Sequence, residues 1–321
     1  MMTSASSPLP WFKALADATR LRLVRVLARH ELSVGEIVAV LGMGQSRVSR
    51  HLGILVGCGL LASRREGAWT FYSTAAGGEQ AAFLAALAPW LAAAGPEADL
   101  TAVAAVLRER RQETRRFFNA IAPDWATLRR EVLGDLDPGD LVRAVMPDTV
   151  ALAADLGCGP GELLPVLAER AASVIGVDSS PSMLALAERR TAGLPVGVRM
   201  GELEHLPMAD GEADFLVVCL TLHHLPDPAA ALAEARRVLA DAGRLVVIDF
   251  AAHEDEAMRR RFGDRWLGFS REKLSEWLDR AGFALADWSE HPVNRGLVAA
   301  RAVAVPRQPV RQGEPHERHA A

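Results

Sequence analysis

Among the residues able to do chemistry, the most suggestive run is Asp155-Leu156-Gly157-Cys158-Gly159-Pro160-Gly161, a carboxylate followed by three closely spaced glycines. Glycines this dense let backbone approach a ligand, and the apolar run before them reads as a strand feeding a turn. The pattern is not the dinucleotide fingerprint G-x-G-x-x-G. No lysine follows a glycine loop to neutralise polyphosphate, and Asp155 repels anions, so a cationic or zwitterionic ligand fits better. Asp178 ends the next apolar run, twenty-three positions on, where a carboxylate accepts from both ribose hydroxyls. Glu202 follows the third run, within reach of a base amino group. Together these residues describe a site for a nucleoside with an amino-acid tail.

Such residues need a scaffold that sets strand ends side by side. Seven apolar runs alternate with stretches of helical period: Val150 to Asp155, Ser173 to Asp178, Val196 to Gly201, Asp214 to Leu220, Arg244 to Phe250, Phe283 to Ser289 and Gly296 to Val303. This alternation predicts a parallel, doubly wound α/β sheet, whose ligands bind beyond the carboxyl ends of the strands.

The segments DLGCGPGELLPVLA, IGVDSSPSMLALA, GELEHLPMADGEADFLVVCLTLHHLPDP and AGRLVVIDF resemble class I S-adenosylmethionine-dependent methyltransferases, of the broad type that includes ubiquinone-biosynthesis enzymes. The resemblance implies a Rossmann-like, seven-stranded domain with S-adenosylmethionine as cofactor. It implies that Asp155, Gly157, Cys158 and Gly159 surround the methionine part, with Cys219 close by. It also implies that Asp178, Ser179 and Met183 hold ribose and adenine, and that Glu202 and the Leu203 backbone face the adenine edge. Methyl transfer from a sulfonium is an in-line displacement, so such a fold mostly orients its reactants. A general base matters only where the acceptor must lose a proton; His223 or His224, in the loop beside the transferable methyl, is then the candidate. The alternative is a histidine that shapes the loop or pairs with Asp227. The segment His253 to Phe269 is a candidate wall for the acceptor, a small molecule that no motif names.

A second set of groups, Gln45, Ser46, Arg47, Ser49 and Arg50, carries side chains of the kind that meet base edges and phosphates. Val48, Leu52 and Leu55 recur among them at helical spacing, which predicts a helix with the polar residues opposite its buried stripe. Two helices precede it, one capped by Asp17 with Leu21, Val24 and Leu27 inward, one from Ser33 with Ile37 and Leu41 inward, and Gly42-Met43-Gly44 makes a tight turn. Leu61 to Tyr72 reads as a hairpin turning near Glu66-Gly67, with Arg64 and Arg65 placed to meet DNA phosphate. LADATRLRLVRVLA and then QSRVSRHLGILVGCGLLASRREGAWTFY resemble the ArsR/SmtB family of winged-helix repressors. The resemblance implies a double-stranded DNA operator and a homodimer. Where metal-sensing members carry paired cysteines, this chain has Ser33 and Gly35, which supply no thiolate, and Cys58 reads as a small turn residue. No metal site is expected.

The intervening stretch is alanine-rich and helical by period, punctuated at Pro89, Gly95-Pro96, Pro123 and Pro138-Gly139. Ala81 to Ala94 is a candidate dimer helix, and the charge run Arg108 to Arg116 reads as a solvated face. Phe117-Phe118 and Trp125 either cap the next domain's pocket or merely pack it. The expected organisation is a winged helix-turn-helix domain over 1–77, a helical linker, dimerisation and cap region over 78–147, a methyltransferase domain over 148–305 and a disordered tail over 306–321.

Composition bounds the rest. With 321 residues, half of them apolar, the chain can bury two cores, and a 24% charged share excludes a disordered polymer. Lys13 and Lys273 are the only lysines, and neither sits in a setting for Schiff-base chemistry. Up to Gln80 nine basic residues stand against five acidic ones; since the whole chain carries −4, that surplus of four leaves −8 for the remainder. The longest apolar stretch, Ala81 to Gly95, falls short of the ~18 residues of a membrane span. Three scattered cysteines make no disulfide framework, so a cytoplasmic chain with no membrane partner is expected. These readings converge on a DNA-binding regulator whose methyltransferase domain methylates a small molecule. The alternative is a repressor that only senses S-adenosylmethionine or S-adenosylhomocysteine. Arsenite methylation is disfavoured, because only Cys158 and Cys219 lie near the expected pocket.

Overall fold

Asp17 and Ser33 decide where the first helices begin. The computed structural model describes residues 7–66, 69–75 and 77–307, and the chain divides into two compact units, Met1–Gln112 and Glu113–Ala321. In the first, α1 (Leu9–Leu15) leads to α2 (Ala18–Leu27), where the Asp17 carboxylate accepts from the Arg20 backbone N–H. A short strand β1 (Leu32–Ser33) precedes α3 (Val34–Leu41), and Ser33 and Glu36 cap its start reciprocally. Gly42, left-handed at φ 63°, ends α3 and turns the chain toward α4 (Gln45–Gly57). Val48, Leu52 and Leu55 are fully buried in one core with Leu23, Val24, Leu27 and Ile37. The hairpin follows as β2 (Leu61–Glu66) and β3 (Trp69–Thr74), with β1 pairing on the far side of β3. Its expected turn residue Gly67 lies outside the described residues.

Helix α5 (Gly78–Ala92) runs on through Pro89, where a break was expected. Proline forfeits one backbone hydrogen bond, and the buried Leu84 and Leu91 on either side supply packing that holds the turn. Helix α6 (Glu97–Ile121) is continuous, and the boundary between the units falls inside it. Its charge run is more than a solvated face: Arg110 is buried, and its guanidinium donates to Glu36 at 2.6 Å. Arg22 likewise donates through two nitrogens to the buried Asp99, both at 2.7 Å.

The second unit opens with the last turns of α6, then α7 (Trp125–Leu133) and α8 (Pro138–Arg143). Next come β4 (Val150–Leu156), α9 (Leu164–Ala168), β5 (Ala171–Asp178), α10 (Pro181–Arg190), β6 (Val196–Met200) and β7 (Ala213–Cys219). The chain ends with α11 (Pro228–Val238), β8 (Leu239–Phe250), α12 (Ala257–Phe262), α13 (Arg271–Arg280), β9 (Phe283–Pro292) and β10 (Val298–Pro306). All seven expected runs are strands of one sheet, in the order β6-β5-β4-β7-β8-β10-β9. The sheet is not parallel throughout, a correction to the expectation: β10 runs antiparallel to both β8 and β9. A tight turn at Asn294–Gly296 joins β9 to β10, and so short a connection permits only a reversal. The expected tail also starts too early, since β10 reaches Pro306; residues 308–321 lie outside the described residues. Strand order departs from β4 in both directions, which makes the carboxyl ends of β4 and β7 the topological switch point. Among the described residues no single helix is long and apolar enough to cross a membrane.

Candidate functional site

At that switch point β4 delivers Asp155. The chain then turns at Gly157, φ 82°, where the N–H groups of Gly157 and Cys158 both donate to the Val177 carbonyl, at 2.7 and 2.9 Å. A side chain at Gly157 would strike Thr221, so only glycine lets this loop close against the end of β7. In front of Gly159, by contrast, there is open space where a Cβ would stand. Asp178 clasps the loop, its carboxylate accepting from Gly159 N at 2.9 Å and Ser180 N at 2.8 Å. Ser180 in turn caps α10 at Met183 N and donates to the Asn119 side chain. Gly201 N donates to the Asp178 carbonyl, which tethers the turn bearing Glu202 and Leu203 to the end of β5. Cys219 ends β7 on the other side.

Asp155 is 2% exposed and its Oδ1 has no hydrogen-bond partner. Burial, and then the charge of Asp178, push its pKa up to about 7. Burial raises Asp178 too, against the N–H groups of Ser180 and Gly159 that favour its charged form. An orphaned carboxylate, an open glycine cradle and a second carboxylate at the next strand end fit a ligand carrying an ammonium group and neighbouring hydroxyls. Sequence reasoning missed Arg129 on α7 and Glu162 after the glycine loop, which pair at 2.5 Å and act electrostatically on Asp155. No local pattern distinguishes Arg129 from the other arginines of an amphipathic helix.

Beyond β7 a tight turn at Leu222–His224 buries both histidines. His223 Nδ1 lies 2.5 Å from Asp249 Oδ1, and Nε2 lies 3.6 Å from Asp264 Oδ1. Asp227 is engaged elsewhere, capping α11 at Ala230 N, so the pairing suggested by sequence proximity does not form. Burial opposes the imidazolium of His223, but Asp249 and then Asp264 outweigh it and lift the pKa to about 9. Burial and the charge of His223 drive His224 the other way, well below the usual range. With its pKa lifted, His223 is the poorer base of the two, while burial and the His223 charge favour the neutral form of His224.

Asp264, also missed, follows Gly263, whose left-handed φ of 79° ends α12. Its side chain is wholly buried and neither oxygen has a hydrogen-bond partner; burial lifts its pKa to about 6, against the charge of His223. The N–H groups of Arg265 and Trp266 donate to the His223 carbonyl at 2.9 and 3.0 Å, which fixes Asp264 beside the ring. Both histidines and Asp264 line a cavity together with Trp125, Leu128, Arg129, Phe250, Met258 and Phe262. Phe118 packs edge-on against His224 at 4.7 Å, while Trp125 lines the cavity itself, as do Met258, Phe262 and Asp264 of the segment His253 to Phe269. One ligating atom from each of His223, His224 and Asp264 fall within 4.8 Å of one another, although sequence spacing shows no metal-ligand set.

In the first unit Gln45, Ser46, Arg47, Ser49 and Arg50 are all exposed on α4, as is Arg65 on β2. Arg64 departs from expectation: Glu31 holds its guanidinium at 2.9 Å, and it lies 5.0 Å from the Phe71 ring. Neighbouring residues of a strand point to opposite faces, so Arg64 and Arg65 start from opposite sides of the hairpin.

Comparison with known proteins follows the same division. Residues 17–63 match the arsR family of bacterial regulatory proteins and residues 154–247 match a methyltransferase domain. The demethylmenaquinone methyltransferase of Thermobifida fusca is 31% identical over 172 residues, covering 46% of this chain and 73% of that protein. The Thermus thermophilus protein of the same name is 36% identical over 140 residues, 41% of this chain and 64% of its own length. A Streptomyces lividans protein named "Probable mercury resistance operon repressor" is 45% identical over 83 residues, 26% of this chain and 65% of that protein. The chain spans 41 to 64% of the length of the first curated relatives it matches. Among solved structures, the methyltransferase complexed with the Haloferax volcanii activator Trm112 has a TM-score of 0.52 at 19% identity, covering 60% of this chain and 98% of that one. The cyclase SpnF has a TM-score of 0.53 at 21% identity, covering 61% and 96%. These two likenesses establish the fold, and the second shows that this fold alone does not set the reaction. The protein is thus a two-part chain, a winged helix-turn-helix unit and a Rossmann-like unit. Its second unit belongs to the methyltransferases, and residues 17–63 of its first carry the similarity to the arsR family.

Proposed function

We propose that the second unit uses S-adenosylmethionine to methylate a small molecule, and that the first binds a double-stranded DNA operator as a homodimer. The observation that carries the donor reading is Asp155, a buried carboxylate with an unused oxygen at the switch point, beside a glycine loop clasped by Asp178. In this reading Asp155, Gly157, Cys158 and Gly159 hold the amino-acid end, Asp178, Ser179 and Met183 the ribose and adenine, Glu202 and Leu203 the base edge, with Cys219 adjacent. When bound, the donor supplies an electrophilic methyl on sulfonium. Arsenite is a poor acceptor here, since burial raises the pKa of both Cys158 and Cys219 and nearby Asp155 reinforces it, leaving protonated thiols rather than thiolates. The homodimer reading draws on Leu9, Phe12 and Trp90, large apolar side chains exposed on α1 and α5.

The deciding experiment is calorimetry with S-adenosylmethionine on the parent and Asp178→Ala, followed by labelled donor with a metabolite extract and mass spectrometry. Loss of a charge-assisted acceptor worth ~1.5 to 3 kcal/mol should weaken donor binding about ten-fold or more. Unchanged binding in a folded variant removes the site. Label in a new compound identifies an enzyme. A second reading is a repressor that senses donor and demethylated product without turnover, a role open to the unpartnered Asp155 oxygen beside the glycine loop.

A further inference from the structure

Asp264 leaves both of its carboxylate oxygens without a hydrogen-bond donor, in a side chain with no exposure. Its nearest cation, the His223 ring, stands 3.6 Å away with the other ring nitrogen engaged by Asp249. An unsatisfied buried carboxylate is costly, and the cavity it lines is walled mostly by apolar side chains such as Trp125, Leu128, Val132, Phe250, Met258 and Phe262, its other polar groups being the two histidines and Arg129, which Glu162 already pairs. The complement of that wall is an apolar molecule presenting one hydrogen-bond donor to Asp264.

The identity of the donor group follows from what must happen next. A carboxylic acid is repelled by Asp264. An ammonium group pairs with it, but then its lone pair is bound up in an N–H bond and cannot attack, and a thiol is too weak a donor to offset the desolvated charge. A hydroxyl both satisfies the carboxylate and keeps a lone pair free. Building on the methyl-transfer reading above, we propose that Asp264 anchors and deprotonates the hydroxyl of an apolar acceptor, so that the second unit makes methyl ethers. As the acceptor oxygen bonds to the methyl carbon, the carbon–sulfur bond of the sulfonium donor breaks, the sulfur keeps that electron pair, and the hydroxyl proton passes to Asp264. His223, held by Asp249, stays a fixed positive neighbour and takes no proton.

The test uses 1-naphthol and naphthalene, which differ by the hydroxyl alone, in equilibrium dialysis against the full chain with and without saturating S-adenosylhomocysteine. The parent should prefer 1-naphthol by about ten-fold or more, a preference that shrinks in Asp264→Asn and vanishes in Asp264→Leu while naphthalene binding is kept. Equal binding of the two probes, binding of neither, or a preference that survives in both variants overturns the proposal. Stoichiometric zinc binding lost in Asp264→Asn also overturns it, because the carboxylate would then be a metal ligand alongside His223 and His224. Should Asp264→Leu not fold, the shrinkage in Asp264→Asn decides. If S-adenosylhomocysteine fails to bind while the naphthol preference persists, the donor reading falls and Asp264 stands as a hydroxyl site without methyl transfer.

Discussion

Two pairs of carboxylates, one pair from each unit, are held in opposite ways. In the first, Asp99 is met by two nitrogens of Arg22, and Arg110 holds Glu36 below the ordinary carboxylate range despite the opposing effect of burial. In the second, Asp155 and Asp264 are buried with unused oxygens and pushed up, to about 7 and about 6. Charges of the first kind complete a scaffold, whose working surface is then the exposed polar side of α4. Charges of the second kind are unfinished until something binds, which is how sites with perturbed titration arise.

The largest test of this contrast is Asp155→Asn. The folded protein holds the Asp155 proton more tightly than the unfolded chain does, about 7 against 3.8, so the stability this group contributes is complete below pH 4 and lost as the pH rises to 7. At ~1.4 kcal/mol per pH unit the span amounts to roughly 4 kcal/mol as an upper bound. Above pH 7 the ligand-free Asp155→Asn variant should therefore melt higher than the parent, while its donor binding collapses; thermal unfolding at pH 5 and pH 8 reads both signs. A variant that melts lower at pH 8 would mean that Asp155 is satisfied within the protein. Glu36→Gln should do the reverse, costing about 2 to 3 kcal/mol at neutral pH because it leaves Arg110 buried without its counter-charge. Denaturant unfolding of the two variants side by side breaks the comparison if both move in one direction.

What the sequence discloses follows the range of the interactions involved. The seven strands, the caps at Asp17 and Ser33 and the glycine turn at Gly42 are local patterns, and each appears where it was expected. Strand direction is not local: nothing within Val298–Pro306 says whether the chain arrives by a turn or by a crossover helix, and the antiparallel β10 follows from that connection. The group around the glycine loop was legible because a strand, a glycine loop and a carboxylate occur in one short run. The group around the histidines was half legible. His223 and His224 stand out as a pair, but Asp249 and Asp264 come from 26 and 41 positions further on and are joined to them only by the folded sheet and the turn at Gly263.

A smaller effect is expected at the DNA surface. Arg50→Ala should weaken operator binding by ~1 to 3 kcal/mol and relax sequence preference, as removal of a base-reading arginine does. Arg65→Ala should lower affinity for all sequences alike and flatten the salt dependence, whereas Arg64→Ala should do so less, because Glu31 already holds that guanidinium. Filter binding across a salt series separates the three. Equal slopes for Arg64→Ala and Arg65→Ala would show that Arg64 leaves Glu31 for the phosphate.

The smallest effect tests whether the two kinds of charge communicate. A ligand shifts a DNA-binding equilibrium only by its differential affinity for the two states, with coupling energies of ~1 to 3 kcal/mol. S-adenosylmethionine and S-adenosylhomocysteine differ by one methyl and one positive charge, the quantity to which an unpartnered Asp155 responds. Helix α6 is continuous from Asp99 and Arg110, held by Arg22 and Glu36, to Asn119, held by Ser180 beside the glycine loop. In the sensing reading, a change at Ser180 alters how firmly Asp99 and Arg110 are held. The two ligands should then alter operator affinity unequally, by about five-fold. Fluorescence anisotropy at fixed salt, without ligand and with each ligand at saturation, measures this directly, and Asn119→Ala should narrow the gap. Three superimposable curves would mean that the units are only tethered, which removes the sensing reading and leaves the enzymatic one standing.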